Sequence, residues 1–245
     1  MIKHMFSVAI LAGGLAKRLH PLTETIPKAL VDINGAPFIA HQLRLLRKNS
    51  IERVVICAGH LGEMISEFVC DGSGFGIQAK FSFDGSRLLG TAGTVRKALP
   101  LLGKSFFVLY GDAYLPCDYV AVQEAYEKSG KSALMTVFHN EDRWDKSNVE
   151  FEHGRILNYN KEYRTDRMYH IDYGLGVFRA SAFEMVPENE PFDLAWVYKL
   201  LLEKGELAAF EVRQRFYEIG TLEGLKETRH FLKSHGNRNY NLSND

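Results

Sequence analysis

The chain has no surplus of charge. Over 245 residues, 30 Lys and Arg balance 30 Asp and Glu, for a formal net charge of zero. A broad basic field is therefore missing, and no nucleic-acid partner is expected. Cysteine is scarce: Cys57, Cys70 and Cys117 are too few and too scattered for a disulfide scaffold or a C-x-x-C metal site. They read as reduced thiols. One stretch imitates a secretory signal, with Lys3 and His4 ahead of an apolar run from Met5 to Ala12 and small residues at Gly14 and Ala16. Gly13-Gly14 cuts that run short, and cleavage there would discard half of the glycine turn. A buried first strand and cytoplasmic residence are expected instead. No other apolar run approaches the roughly 18 residues of a membrane span. Repeats, low-complexity blocks and linkers are also missing. The length lies near the upper limit for one core, so a single domain over 1–245 is expected, with a frayed Asn-rich tail from Gly236.

Two familiar phosphate-binding patterns are missing as well. Gly13 and Gly14 are followed by no third glycine, and neither Lys17 nor Lys28 precedes Ser or Thr, which excludes the P-loop. Gly13-Gly14-Leu15 does not supply the dinucleotide fingerprint. What is there is Leu11-Ala12-Gly13-Gly14-Leu15-Ala16-Lys17-Arg18-Leu19-His20-Pro21-Leu22-Thr23, followed by Pro27-Lys28-Ala29-Leu30. A short apolar strand runs into two glycines, whose backbone N–H groups can approach a phosphate without Cβ obstruction. Lys17, Arg18 and Lys28 can neutralise its charge. Pro21 and Pro27 interrupt any helix between them, so a long extended loop wrapping a nucleoside triphosphate is expected.

Strand and helix patterns alternate through the first half. Strands are expected at Phe6 to Leu11, Arg53 to Ala58, Ile77 to Phe83 and Ser105 to Tyr110. Helices are expected at Ile39 to Arg47, Leu61 to Val69 (Ile65 and Phe68 inward) and Thr91 to Leu102. Alternation of this kind implies a doubly wound, largely parallel α/β sheet, which binds ligands at the carboxyl ends of its strands. Gly13-Gly14 and Asp112 both fall at such ends. The second half is richer in strands: Lys131 to His139, Asn148 to Phe151, Arg155 to Tyr159, Tyr169 to Arg179 and Ala208 to Val212. Gly154 marks a turn, and helices are expected at Phe192 to Lys204 and Leu222 to Leu232. Trp196 and Tyr198 could face the core or a second copy, so a homo-oligomer is possible. Asp112, after an apolar strand, must be paired, metal-bound or a helix cap, because the sheet would otherwise desolvate it. Thr91 could be a plain helix N-cap.

The L-A-G-G-x-x-x-R-L-x-P-L-T pattern with its trailing P-K resembles the signature of the sugar-1-phosphate nucleotidyltransferases. The departure is Ala16-Lys17, where that family usually has Gly-Thr. The resemblance covers roughly residues 6 to 232. It implies a mixed, mostly parallel Rossmann-type sheet of the nucleotide-diphospho-sugar transferase kind. A nucleotide half would span 1–112 and a sugar-phosphate half 113–235. It implies a substrate pair of NTP and sugar 1-phosphate, with Mg²⁺ as cofactor, in supply of nucleotide sugars for cell-surface polysaccharide. Carried over residue by residue, Arg18 and Lys28 would be catalytic. Leu11, Ala12, Gly13, Gly14, Asp84, Gly90, Thr91 and Ala92 would hold the nucleotide. Asp112 would be the first metal ligand, and Glu218 in Tyr217-Glu218-Ile219-Gly220-Thr221 the second, where an aspartate is usual. Asn148, Asn160, Lys161 and Asp172 would hold the sugar phosphate, with Asn160 in place of the usual acid.

The form Leu89-Gly90-Thr91-Ala92-Gly93 is similar to mannose-1-phosphate guanylyltransferases, and Asp84 could accept from guanine N1–H and N2–H₂. GTP with a mannose- or heptose-type sugar 1-phosphate is therefore expected. The second half is similar to heptose-1-phosphate guanylyltransferases and muramate-type uridylyltransferases. Uridylyl or cytidylyl transfer remains an alternative, as does a non-catalytic regulatory relative. A glycosyltransferase would want a D-x-D motif, which Gly111-Asp112-Ala113-Tyr114 lacks.

Overall fold

The computed structural model describes residues 4–15 and 17–236. Ala16, Lys3 and the tail beyond Gly236 lie outside the described residues. In chain order the elements begin β1 (Ser7–Ala12), β2 (Asp32–Ile33), β3 (Ala36–Pro37), α1 (Phe38–Lys48), β4 (Arg53–Ala58), α2 (Gly62–Val69) and β5 (Gln78–Phe83). They continue with α3 (Gly90–Leu102), β6 (Ser105–Tyr110), β7 (Ala113–Tyr114), α4 (Tyr119–Ser129), β8 (Ala133–His139), β9 (Val149–Glu152) and β10 (Arg155–Tyr159). The chain closes with β11 (His170–Arg179), α5 (Leu194–Glu203), β12 (Leu207–Val212), β13 (Tyr217–Glu218) and α6 (Leu222–Gly236).

Nine strands form one mixed sheet in the order β10-β9-β11-β6-β1-β4-β5, with β8 pairing β11 and β12. The strands β1, β4, β5 and β6 run parallel, whereas β11 is antiparallel to both β6 and β8. β6 joins the two halves, because it pairs with β1 on one side and β11 on the other. The centre of the sheet is covered on both faces, which is why β1 and β6 read as unbroken apolar runs. Alternation along them divides the core. Val8, Ile10, Phe107 and Leu109 pack with α1, α2 and α4, while Ala9, Phe106 and Val108 pack with α3 and α5. A third cluster buries Ile219, Leu225 and Leu232 against Val31, Ile33 and Phe38, fixing α6 beside the β2–β3 hairpin.

Four expectations need correction. Phe68 is exposed rather than inward and lies 6.1 Å from Phe75, ring to ring, while Ile65 and Val69 carry the buried face of α2. The stretch between Gly14 and Leu30 is not extended throughout: it makes single 3₁₀ turns at Lys17–Leu19 and Lys28–Leu30. α4 was not expected; Asp118 opens it by accepting the Ala121 N–H at 3.0 Å. α5 starts two residues later than expected because Asp193 caps it, accepting from Ala195 N–H, while Phe192 is bonded into the start of α3. In α5, Tyr198 is buried and Trp196 is exposed. No described helix is long and apolar enough to cross a membrane.

Candidate functional site

The carboxyl ends of β1 and β6 meet at a backbone bond from Gly111 N–H to the Leu11 carbonyl, 3.0 Å. A Cβ on Gly111 would run into that carbonyl oxygen, so the close approach depends on glycine. Above this junction lies a cavity of about 260 Å³. Leu11, Ala12, Gly13 and Gly14 line it together with Asp84, Gly90 and Thr91, and so do Lys28 and Asp112. Asp84 is nearly buried. Its Oδ2 accepts the Leu89 N–H at 3.0 Å, and its Oδ1 has no partner. Thr91 lines the cavity, but its hydroxyl accepts the Leu194 N–H at 2.7 Å and so ties α5 to α3. Ala92 does not line it. That residue is fully buried and its N–H bonds the Phe192 carbonyl at 2.8 Å.

A second, wider cavity of about 560 Å³ adjoins the first and shares Tyr110 and Asp112 with it. Arg18, Asn148, Lys161, Asp172 and Glu218 line it. The Asn148 carboxamide oxygen accepts the Asp172 N–H at 2.9 Å. The Asp172 carboxylate accepts from Gly174 N–H at 3.0 Å and from the Tyr159 hydroxyl at 3.4 Å. Burial holds the Asp172 carboxyl above the usual carboxylate range, and the neighbouring Lys161 ammonium offsets this only in part. Lys161 Nζ sits 5.4 Å from the Tyr110 ring centroid and 3.4 Å from its hydroxyl oxygen. Asn160 is not part of this wall. Its carboxamide oxygen accepts from Glu162 N–H and Tyr163 N–H at 2.9 and 3.0 Å, closing a local turn.

Between the cavities the charged side chains converge. The two-residue ladder of β13 with β7 sets Glu218 opposite Ala113, and Ile219 N–H donates to the Asp112 carbonyl at 2.9 Å. Lys28 Nζ pairs with Asp112 Oδ2 at 2.9 Å. A Cβ placed on Gly220 would lie 2.6 Å from Glu218 Oε2, 3.0 Å from Arg18 Nη2 and 3.3 Å from Asp112 Oδ2. Two carboxylates and a guanidinium thus surround one point that only glycine leaves open. The extra methylene of Glu218 is taken up locally: Oε1 accepts the Thr221 hydroxyl at 2.7 Å, and Oε2 accepts the Gly220 N–H. Hard carboxylate oxygens side by side, next to cationic groups suited to phosphate, match the donor set of a Mg²⁺–polyphosphate site. Tyr110, common to both cavities, and Gly220 were not singled out from the sequence. Tyr110 ends an expected strand and Gly220 stands in a quoted motif, but neither setting says that two cavities share a wall.

The family model for nucleotidyl transferases matches residues 7–234. An N-acetylmuramate alpha-1-phosphate uridylyltransferase of Neisseria meningitidis is 39% identical over 113 residues, covering 46% of this chain and 49% of the relative. A mannose-1-phosphate guanyltransferase beta-B of Xenopus laevis is 26% identical over 217 residues, covering 86% of this chain and 60% of the relative. The chain spans about half to three-fifths of the length of the curated relatives it matches. A Bacillus anthracis crystal structure with sucrose, provisionally assigned as a glucose-1-phosphate thymidylyltransferase, superposes with a TM-score of 0.84. It is 19% identical and covers 98% of both chains, a likeness of fold. With the family's match running from the first strand of the sheet into its last helix, the chain belongs to the nucleotidyl transferase family.

Proposed function

We propose that the protein transfers a nucleoside monophosphate from an NTP to a sugar 1-phosphate, releasing pyrophosphate. The observation that carries this is the meeting of Arg18, Lys28, Asp112 and Glu218 at the boundary between the two cavities. A phosphate oxygen of the sugar 1-phosphate forms a bond to the α-phosphorus, and the bond from that phosphorus to the oxygen bridging to the β-phosphorus breaks. A phosphate monoester dianion is already a nucleophile, so no Ser-His or Cys-His pair is required. Catalysis is positioning and charge stabilisation. Arg18 grips the leaving β- and γ-phosphates, and Lys28 stabilises charge on the α-phosphoryl. Lys161 holds the sugar phosphate, and Asp172 with Asn148 addresses sugar hydroxyls. Asp112 and Glu218 would hold Mg²⁺, which supplies neutralisation of phosphate charge when bound.

For the base, the unpartnered Asp84 oxygen favours donor edges, and guanine offers N1–H and N2–H₂ together. GTP with a mannose- or heptose-type sugar 1-phosphate is the first reading. UTP is the second, favoured by the Neisseria relative, whose name is that of a uridylyltransferase; uracil offers one donor, N3–H. Cytoplasmic residence fits the free thiols of Cys57, Cys70 and Cys117. Pyrophosphate release, measured for all five triphosphates against a panel of hexose, heptose and N-acylated sugar 1-phosphates with Mg²⁺, tests the proposal. Turnover with GTP above UTP supports the first reading. Turnover with UTP above GTP transfers the assignment to the second. Release in no combination favours a non-catalytic relative.

A further inference from the structure

Trp144 stands in the loop between β8 and β9, lines the wider cavity, and leaves 43% of its surface exposed. Its ring is nonetheless held. The Arg215 guanidinium carbon lies 3.2 Å from the indole centroid, a stacked cation–π contact. Arg215 is itself fixed by an ion pair with Glu227 and rests 4.8 Å from the Tyr217 centroid. The loop is fixed too. Arg164 grips both Asp142 oxygens, at 2.8 and 2.6 Å, and the Asn140 carboxamide donates to the Asp145 carbonyl and to Ser147 Oγ. Trp144 lines the cavity and Arg215 does not.

The other aromatic groups of that wall are engaged. Tyr173 and Phe216 pack edge to face at 6.1 Å, and Lys161 sits over Tyr110. Trp144, with Arg215 stacked on its ring and part of its surface exposed, adds a flat apolar surface to the lining that holds Asp172 and Asn148. A pyranose ring has complementary chemistry: hydroxyl edges that take hydrogen bonds, and a C–H face that needs an apolar plane. We propose that Trp144 is the platform on which the C–H face of the sugar 1-phosphate stacks, with Arg215 as the positioning residue behind it. This rests on the nucleotidyl-transfer reading above.

The chain has two tryptophans. Trp196 lies on α5, lines neither cavity and has Lys199 over its ring at 4.8 Å. In a Trp196→Phe background, emission therefore reports Trp144 alone. The probe is whichever sugar 1-phosphate of the panel supports the fastest pyrophosphate release. It is expected to change Trp144 emission saturably. Trp144→Ala is expected to raise KM for that sugar 1-phosphate roughly five- to tenfold, with KM for the triphosphate unchanged. Trp144→Phe restores most of the loss, and Arg215→Gln raises the same KM through the loosened indole. Emission unmoved at saturating sugar 1-phosphate, or a Trp144→Ala enzyme with an unaltered sugar KM, overturns the platform while leaving nucleotidyl transfer in place. If no panel member is turned over by wild type, the nucleotidyl-transfer reading falls and the platform with it.

Discussion

Lys28 is the side chain on which the proposed chemistry depends most. It comes from a 3₁₀ turn after Pro27 and reaches Asp112 at 2.9 Å, placing its ammonium where the two cavities meet. Removing one preorganised donor from such a centre costs on the order of 10²–10³ in kcat, which is the expected effect of Lys28→Ala. A loss below tenfold in steady-state assays would remove Lys28 from the reacting centre. Asp172 makes a different prediction, about stability. An acid whose carboxyl is raised on folding binds more protons folded than unfolded in the interval between the ordinary and the raised value. Its contribution therefore turns unfavourable as pH rises through that interval and is harmless below it. Asp172→Asn should melt above wild type at neutral pH, with the difference vanishing in acid, and thermal melts across pH measure this directly. Stability is commonly given up where function requires a buried charge.

Among the secondary-structure elements, the segment from Tyr110 to Ala113 is held by α1. Gln42 is buried, and its carboxamide nitrogen donates to the Tyr110 and Ala113 carbonyls at 3.1 and 2.8 Å, bracketing Gly111 and Asp112. Gln42→Leu takes this donor from one part-buried and one buried carbonyl, so a stability loss of about 1–3 kcal/mol is expected by denaturant titration. A loss under about 0.5 kcal/mol, typical of a neutral surface change, would show that the bracket carries little. The elements divide sharply in how far the sequence revealed them. β1, β4 and β6 were legible because burial on both faces demands apolar runs. α1 was legible because Ile39, Leu43 and Leu46 share one buried stripe. α4 was not, because its buried face includes Gln123, which accepts the Phe6 N–H at 2.9 Å, and so its apolar stripe is broken. Phe68 was misassigned because an apolar residue at helical spacing carries no mark distinguishing core from surface. The ladder of β7 with β13 has only two residues on each side, too short for any periodicity.

In the molecule as a whole, the parallel sheet forecasts where a ligand sits: the first cavity lies where β1 and β6 end, at Gly13-Gly14 and Asp112, and the wider one shares Asp112 with it. The resemblance paired Asp112 with a late carboxylate, a pairing that composition and spacing alone could not reach across the intervening strands. Ala92 and Asn160, which it also carried over, are held here by local packing and a local turn. The direct test of the account is whether Asp112 and Glu218 serve one Mg²⁺–polyphosphate centre. Pyrophosphate release should be measured for Asp112→Asn, Glu218→Gln and the double variant, each checked for folding by its melting point. Groups that act as a unit are non-additive. Each single change should lower kcat about a hundredfold or more, with the double close to the worse single. Independent, multiplying losses, or a Glu218→Gln enzyme as active as wild type, would contradict it.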